Sequence, residues 1–338
     1  MNYFSQIKDH ILIGGAGSIA ATGLLVLLVA SGGLSAGHLT VDPVLFFSIA
    51  FAAAFTGLGV YALNAYHDRE VDKINKPNRP VPSGRMTPKH ALRYAIYLMA
   101  LGWFTSLIIS VFTGRYLTLV LWSIFTVLGV AYSTPPLKLK SRHICGNLSF
   151  AAFAALTFTI SNVAFGVSIP NLTIYFMTLV FLAIFVIGLI TMKDFHDYEG
   201  DKLKGDITLP VKVGKMKAAA ISLALMLMFI ILQIPIGPTN FSDIVVFLRA
   251  YWFYLTLITS FGVYMVLERF ASSTISNSYS GTQYYLTILL VAYAFMRAPL
   301  VGSAYQSNQE IATVFSLYMV TAFASIYLAS KSKVLKVA

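Results

Sequence analysis

The chain has 338 residues, of which 57% are hydrophobic and only 11% are charged. Soluble domains average about 25% charged residues, so this composition excludes an ordinary soluble protein. The net charge of +11 would suggest a nucleic-acid partner in a soluble chain, but here the cations lie in loops between long apolar blocks, which argues against nucleic acid. The single cysteine, Cys145, excludes an internal disulfide and a Cys/His metal cluster.

Ten apolar segments follow one another along the chain, and each is long enough to cross a membrane as a helix. They lie at about 11–34, 43–66, 90–112, 116–133, 146–167, 171–192, 217–236, 247–267, 283–301 and 310–330. The first is too long for the apolar part of a signal peptide and ends without a clear cleavage site. The sequence therefore predicts an all-α integral membrane protein, with residues 1–338 forming a single membrane domain.

The positive charges predict the orientation of these segments. Of the 24 Lys and Arg residues, 21 fall on one side of the predicted spans. They lie in the N-terminal segment, at the loops that follow the second, fourth, sixth and eighth apolar segments, and in the C-terminal tail. The other side holds only Arg115 and Arg249, and Arg297 lies within a span. The positive-inside rule makes the cation-rich side cytoplasmic. We therefore expect a multi-pass protein of the cell membrane, with both termini and the two long polar loops in the cytoplasm.

The first acidic motif lies where the second apolar segment runs into a cytoplasmic loop. Asn64, Asp68 and Asp72 stand at i, i+4 and i+8. This spacing places all three side chains on one face of a helix. His67 points away from that face and is interpreted as a non-ligand, as is His196 in the second motif.

The second acidic motif lies in the same position at the end of the sixth segment. It consists of Asp194, Asp197 and Asp201, again on one helix face. Its last two aspartates follow the two aspartates of the first motif by 129 residues each. This register predicts an internal four-helix repeat that carries one acidic motif at 64–72 and another at 194–201.

Carboxylates at a membrane face are costly, and those retained there usually serve a function. Like charges on one helix face repel each other, so the aspartates are expected to hold a cation between them. Hard oxygen ligands without thiolates favour Mg²⁺, with Mn²⁺ as the alternative, over zinc. Because Mg²⁺ typically takes one or two carboxylates together with substrate phosphates, the motifs predict a diphosphate site in which nearby Lys and Arg bind the remaining oxygens.

The fourth apolar segment ends at Tyr132, before Pro135-Pro136 and two lysines. The prolines stop the helix and leave Tyr132 at the membrane surface. Taken alone, this is an ordinary interfacial tyrosine beside lysines that set the topology.

Four stretches in this order together resemble the UbiA superfamily of intramembrane prenyltransferases. They are Asn64-x3-Asp68-x3-Asp72, Asn78-Arg79-Pro80-x-Pro82-Ser83-Gly84, Tyr132-Ser133-x-Pro135-Pro136-Leu137-Lys138 and Asp194-x2-Asp197-x3-Asp201. The resemblance runs from about residue 60 to residue 215. It implies a bundle of nine to ten transmembrane helices around a central cavity, with the active site on the cytoplasmic side.

The resemblance also implies roles for individual residues. Mg²⁺ and through it a prenyl diphosphate would be bound by Asn64, Asp68, Asp72, Asp194, Asp197 and Asp201. The catalytic set would be Asp68, Asp72, Asp197, Asp201 and Tyr132, with the tyrosine ring near the reacting carbon, where its face could stabilise an allylic cation. The substrate-binding set would be Asn64, Arg79, Lys138, Lys140 and Asp194.

The acceptor is expected to be lipid-soluble. The sequences from Lys76 to Gly84 and from Asp197 to Asp201 look most like those of archaeal enzymes that join a geranylgeranyl chain to geranylgeranylglyceryl phosphate in ether-lipid synthesis. Aromatic quinone precursors, haem and chlorophyllide are alternative acceptors. An ion-coupled transporter is the alternative from another class, although transporter sites lie near the membrane midplane and these acids cluster at one face.

Overall fold

A computed structural model describes residues 3–14, 42–142, 145–166, 172–233, 252–284 and 286–287. All the regular elements in these residues are helices, which confirms the predicted all-α class. The predicted segment at 310–330, and most of those at 11–34 and 283–301, lie outside the described residues.

The helices are numbered here in chain order. They are α1 Tyr3–Ile11, α2 Pro43–Asn75, α3 Pro88–Thr113, α4 Leu117–Ser133, a 3-10 turn Leu139–Ser141, α5 Cys145–Phe165, α6 Leu172–Lys204, α7 Leu209–Val213, α8 Lys215–Gln233, α9 Trp252–Phe270 and α10 over 273–284. The chain divides into two compact units, Met1–Leu179 and Val180–Ala338, with the boundary inside α6. The internal repeat stays a prediction.

Local sequence signals explain where α2 and α3 begin. Asp42 caps α2 by accepting a hydrogen bond from the backbone N–H of Val44 at 2.9 Å, and proline follows as the first helical residue. Thr87 caps α3 in the same way, with its Oγ1 3.2 Å from the backbone nitrogen of His90 and Pro88 next in the chain. Both starts combine a hydrogen-bonding cap with a proline whose missing N–H costs nothing in the first turn.

Three described helices are long and apolar enough to cross a membrane: Pro43–Lys73, Pro88–Thr113 and Cys145–Phe165. Helix α4, at 17 residues, is apolar but shorter. Large apolar side chains such as Val44, Tyr97 and Phe112 are exposed on these helices, as lipid contact requires. The protein is therefore a multi-pass membrane protein; the total number of spans and the side that faces the cytoplasm stay predictions.

Unit 1 is held together by two hydrophobic clusters along α2. One joins the first half of α2 to α3, α4 and α5 around Trp122 and Phe125. The other joins its second half to α3, the 76–87 loop and the turn after α1, around Ile13 and Met86. Close helix packing depends on small residues, because a Cβ at Gly102 would lie 2.1 Å from Thr56 Oγ1. This packing fixes the end of α2, which carries the first acidic motif.

Unit 2 packs aromatic rings behind the second acidic motif. The Phe195 ring stacks on the Tyr264 ring of α9, with centroids 4.1 Å apart and an interplanar angle of 7°. Phe195, Phe261 and Tyr264 are fully buried. Most of helix α10, residues 273–282, lies between two of the predicted apolar segments, and its Tyr279 is fully buried too. The last turns of α6 therefore have α9 behind them.

Candidate active site

The first acidic motif lies on the last turns of α2, which continues as one helix beyond its apolar part. Its three polar side chains each meet a different segment of unit 1. The Asn64 amide donates to Ser133 Oγ at 3.3 Å, at the end of α4. Lys140, in the 3-10 turn, forms an ion pair with Asp68. The helix face predicted from the spacing is thus lined by partners that come from other elements.

The third side chain of the motif, Asp72, pairs with Arg79. Arg79 Nη1 lies 2.9 Å from Asp72 Oδ2, and the two side chains are only 17% and 6% exposed. The Asp68–Lys140 pair is similarly shielded. Screening by water is weak for such pairs, so each carboxylate depends on its cation far more than a surface pair would.

The 76–87 loop brings Arg79 to this position because it is folded on itself and packed against α2 and α3. The Arg79 carbonyl accepts from the Ser83 backbone N–H at 3.0 Å, and the Pro80 carbonyl accepts from Met86 at 2.9 Å. Val81 and Met86 are buried in the second cluster of unit 1. Gly84 takes the left-handed conformation, at φ 77°, that favours glycine. The arginine is therefore held by a packed turn.

The segment after α4 places the tyrosine and lysines of the third predicted element. The Tyr132 ring meets the Phe150 and Phe153 rings edge-on, with centroids 5.2 and 6.1 Å away. Pro135-Pro136 follows with a cis peptide bond, and Lys138 has a left-handed backbone. This turn carries the chain back towards α2, where Lys140 reaches Asp68.

The second acidic motif lies on the last turns of α6 in unit 2. Lys193 Nζ lies 3.1 Å from Asp197 Oδ2 and 3.8 Å from Asp194 Oδ1. Its third aspartate, Asp201, accepts a hydrogen bond at its backbone carbonyl from the N–H of Asp206 at 2.9 Å. Lys193 lies on the same helix as the motif, four residues before Asp197, whereas Arg79 and Lys140 reach the first motif from other segments.

The two histidines of the motifs have other hydrogen-bond partners. His67 Nε2 lies 3.3 Å from Thr134 Oγ1, and His196 Nδ1 lies 3.1 Å from the Asn277 carbonyl oxygen. The first contact ties α2 to the turn after α4, and the second ties α6 to α10. The interpretation of both side chains as non-ligands stays a prediction.

The donor set suits a hard divalent ion, because the motif side chains present carboxylate and amide oxygens and no thiolate. No group of three or more His, Cys, Asp or Glu side chains converges on one point in the part of the chain that the structure describes. The first motif offers two shielded carboxylates one helix turn apart. That number fits Mg²⁺, which usually completes its shell with substrate phosphate oxygens and water.

Several contacts of the site were not predicted from the sequence. Ser133 could have been found, since it follows Tyr132 directly, and Lys193 could have been found from its i, i+4 spacing to Asp197. Asn277, the partner of His196, has no local signal in the sequence, because this contact spans 81 positions of the chain.

The sequence is similar to a known family and to several named proteins. The model of the UbiA prenyltransferase family matches residues 24–279. The chain is 32% identical over 224 residues to digeranylgeranylglyceryl phosphate synthase from Methanothrix thermoacetophila, covering 66% of this chain and 76% of that protein. It is 37% identical over 163 residues to the synthase of the same name from Pyrococcus horikoshii, covering 47% and 53%.

Solved structures give the same fold at lower sequence identity. A UbiA homologue from Archaeoglobus fulgidus, solved with GPP and Mg²⁺, has a TM-score of 0.55 at 18% identity and covers 85% of this chain and 99% of that one. A structure of digeranylgeranylglyceryl phosphate synthase has a TM-score of 0.56 at 22% identity and covers 88% and 99%. Because the family model matches most of the residues and the fold agrees, the chain belongs to the UbiA prenyltransferase family.

Proposed function

We propose that this protein transfers a geranylgeranyl group from geranylgeranyl diphosphate to geranylgeranylglyceryl phosphate, as in archaeal ether-lipid synthesis. Family membership makes it a prenyltransferase, and relatives that are 32% and 37% identical carry the name of this synthase. The observation that carries the proposal is the row of Asn64, Asp68 and Asp72, with Lys140 and Arg79 beside it. Such a row of acids and cations suits a metal-bound diphosphate.

The reaction requires a divalent metal, for which Mg²⁺ is proposed, with Mn²⁺ as the alternative. Each motif would supply metal-binding residues of its own: Asn64, Asp68 and Asp72 in unit 1, and Asp194, Asp197 and Asp201 in unit 2. When bound, the metal supplies positive charge that offsets the charge growing on the leaving diphosphate. Support comes from the donor chemistry of the motifs and from the homologue solved with GPP and Mg²⁺.

Cationic side chains of unit 1 would bind the diphosphate directly. Arg79 can present two parallel N–H groups to phosphate oxygens, and Lys138 and Lys140 add positive charges. As the C–O bond of the donor breaks, its electron pair goes to the diphosphate, and these side chains stabilise the increasing negative charge. The contacts of Arg79 with Asp72 and of Lys140 with Asp68, at the end of α2, support this role.

Tyr132 would orient and protect the allylic cation left by that bond cleavage. Its ring is held edge-on by Phe150 and Phe153. An aromatic face attracts positive charge, and an apolar surrounding keeps water from capturing the carbon. The hydroxyl oxygen of the acceptor then forms the new ether bond, and its proton leaves to a base, for which the motif aspartates are candidates.

The site is proposed to face the cytoplasm, where both prenyl diphosphate and the phosphate head of the acceptor would be reached from water. The support is the concentration of 21 of the 24 Lys and Arg residues on one side of the predicted spans. The chain of the donor and the acceptor itself would enter from the lipid.

The experiment that tests this function is a transfer assay with purified protein. Geranylgeranyl diphosphate is offered with geranylgeranylglyceryl phosphate, an aromatic quinone precursor, haem or chlorophyllide, and shorter prenyl diphosphates are compared as donors. We expect Mg²⁺-dependent release of diphosphate with the glyceryl phosphate acceptor. Transfer only to an aromatic acceptor would reassign the substrate, and flux of a solute without turnover would favour a transporter.

A further inference from the structure

A buried ammonium group lies behind the second acidic motif. Lys215, at the start of α8, has a side chain that is only 7% exposed. Its Nζ donates to Asn277 Oδ1 at 3.0 Å and lies 3.7 Å from Glu268 Oε1. It also lies 3.9 Å from Glu199 Oε1 and 4.5 Å from the centre of the Tyr198 ring. Lysine is almost never buried unless it is paired, so this cluster calls for an explanation.

Burial decides which of these partners matters most. The Glu268 side chain is 18% exposed, whereas Glu199 is 66% exposed, so water screens the second pair. Glu268 is itself fixed, because the Tyr264 and Ser276 hydroxyls donate to its Oε2 at 3.4 and 2.5 Å. The Lys215 ammonium thus connects α8, α9 and α10 at one shielded point.

Lys215 and Asn277 also contact two residues that lie between the aspartates of the second motif, Tyr198 and His196. Tyr198 receives the Lys215 ammonium over its ring. His196 bonds to the Asn277 carbonyl, and Gly281 allows this approach, because a Cβ there would lie 2.7 Å from His196 Nδ1. One side of this stretch of α6 is therefore fixed by α8 and α10, while the aspartates alternate with the fixed residues along the helix.

We propose that Lys215, with Glu268 and Asn277, is a positioning group that fixes the last turns of α6 and thereby the direction of the second aspartate motif. The inference rests on the proposed function, which gives those aspartates their role. An ammonium has three donors, and three oxygen-bearing side chains already lie within 4 Å of this one. Lys215 therefore acts through α6, whereas Arg79 and Lys140 would touch the diphosphate themselves.

The test compares Lys215→Met and Lys215→Arg with the control Lys217→Met, which removes an exposed charge two residues further along α8. Amide hydrogen exchange over 194–204 is measured without substrate, and kcat and KM are measured with geranylgeranyl diphosphate. We expect Lys215→Met to speed exchange in this stretch and to lower kcat/KM for the diphosphate, each by roughly tenfold. Lys215→Arg should keep both the exchange rate and kcat/KM near their wild-type values, and Lys217→Met should change neither quantity.

A second variant guards against the chance that Lys215→Met fails to fold. Asn277→Ala removes the shortest hydrogen bond and leaves the Lys215–Glu268 pair, so a smaller change in the same direction is expected in both measurements. Unchanged exchange over 194–204 in both variants overturns the proposal, and so does a loss of turnover that occurs without any change in exchange. Because exchange is measured without substrate, it still decides the matter if the wild-type protein transfers no prenyl group.

Discussion

Replacing Arg79 with glutamine separates the structural role of this residue from its proposed role at the diphosphate. The substitution leaves Asp72, whose side chain is 6% exposed, without its cation. Removing one partner of a buried pair typically costs about 3–5 kcal/mol, because the remaining charge is shielded from water. The arginine is 17% exposed, so we expect the lower end of that range, about 3 kcal/mol.

The double variant Arg79→Gln/Asp72→Asn is expected to behave differently in the two measurements. Its stability should return to within about 1 kcal/mol of the wild type, because neither charge is left unpaired. Its transfer activity should not return, since a diphosphate ligand and a metal ligand are both absent. Loss of one group that stabilises transition-state charge typically lowers kcat by about 10²–10³-fold.

The two quantities are measured as thermal unfolding of protein in detergent and as single-turnover transfer of a labelled geranylgeranyl group. Lys89→Gln is the control, since it removes an exposed positive charge at the start of α3. A double variant as unstable as Arg79→Gln would show that the pair is not the source of the lost stability. Wild-type transfer by Arg79→Gln would refute its role at the diphosphate.

Three further results are expected. EDTA should stop turnover and added Mg²⁺ should restore it, whereas turnover in the presence of chelator would rule out the metal site. Asp68→Ala should abolish transfer and Lys140→Met should lower it by about 10²-fold or more in the same assay, and wild-type rates in either would remove this pair from the site. Gly281→Ala should lower turnover, because the new Cβ would press on His196, while Gly262→Ala, which meets nothing within 4 Å, should not.

The sequence predicted the elements whose signal is local. The apolar block at 43–66 marked the membrane part of α2, and Asp42 and Pro43 account for its start. Beyond the apolar block the hydrophobic pattern ends, yet the helix continues to Asn75. The i, i+4, i+8 spacing of the first motif was the signal for that extension, because residues at this spacing share one face only if the chain is helical.

The parts that could not be predicted depend on contacts between distant residues. Lys215 looked like one of many cytoplasmic cations, and its bond to Asn277 spans 62 positions of the chain. Helix α10 begins at residue 273 in a Ser-rich stretch that also holds Asn277 and Gly281, and these residue types have lower helix propensity than Ala or Leu. Its helical state is supported instead by tertiary burial, as Ser276 and Ser280 are fully buried.

The depth of the first motif along its helix favours an enzyme over an ion-coupled transporter. Helix α2 starts at Pro43 and is 33 residues long, so it extends about 50 Å, against about 30 Å for the hydrocarbon core of a membrane. Asp68 and Asp72 lie about 38 and 44 Å from its start, well beyond the midplane where transporter sites are found. Carboxylates near the end of α2 can face a charged diphosphate that arrives from water, while its prenyl chain stays among apolar helices. That division of polar and apolar surroundings suits a donor whose diphosphate leaves towards water while its prenyl carbon bonds to a lipid-soluble acceptor.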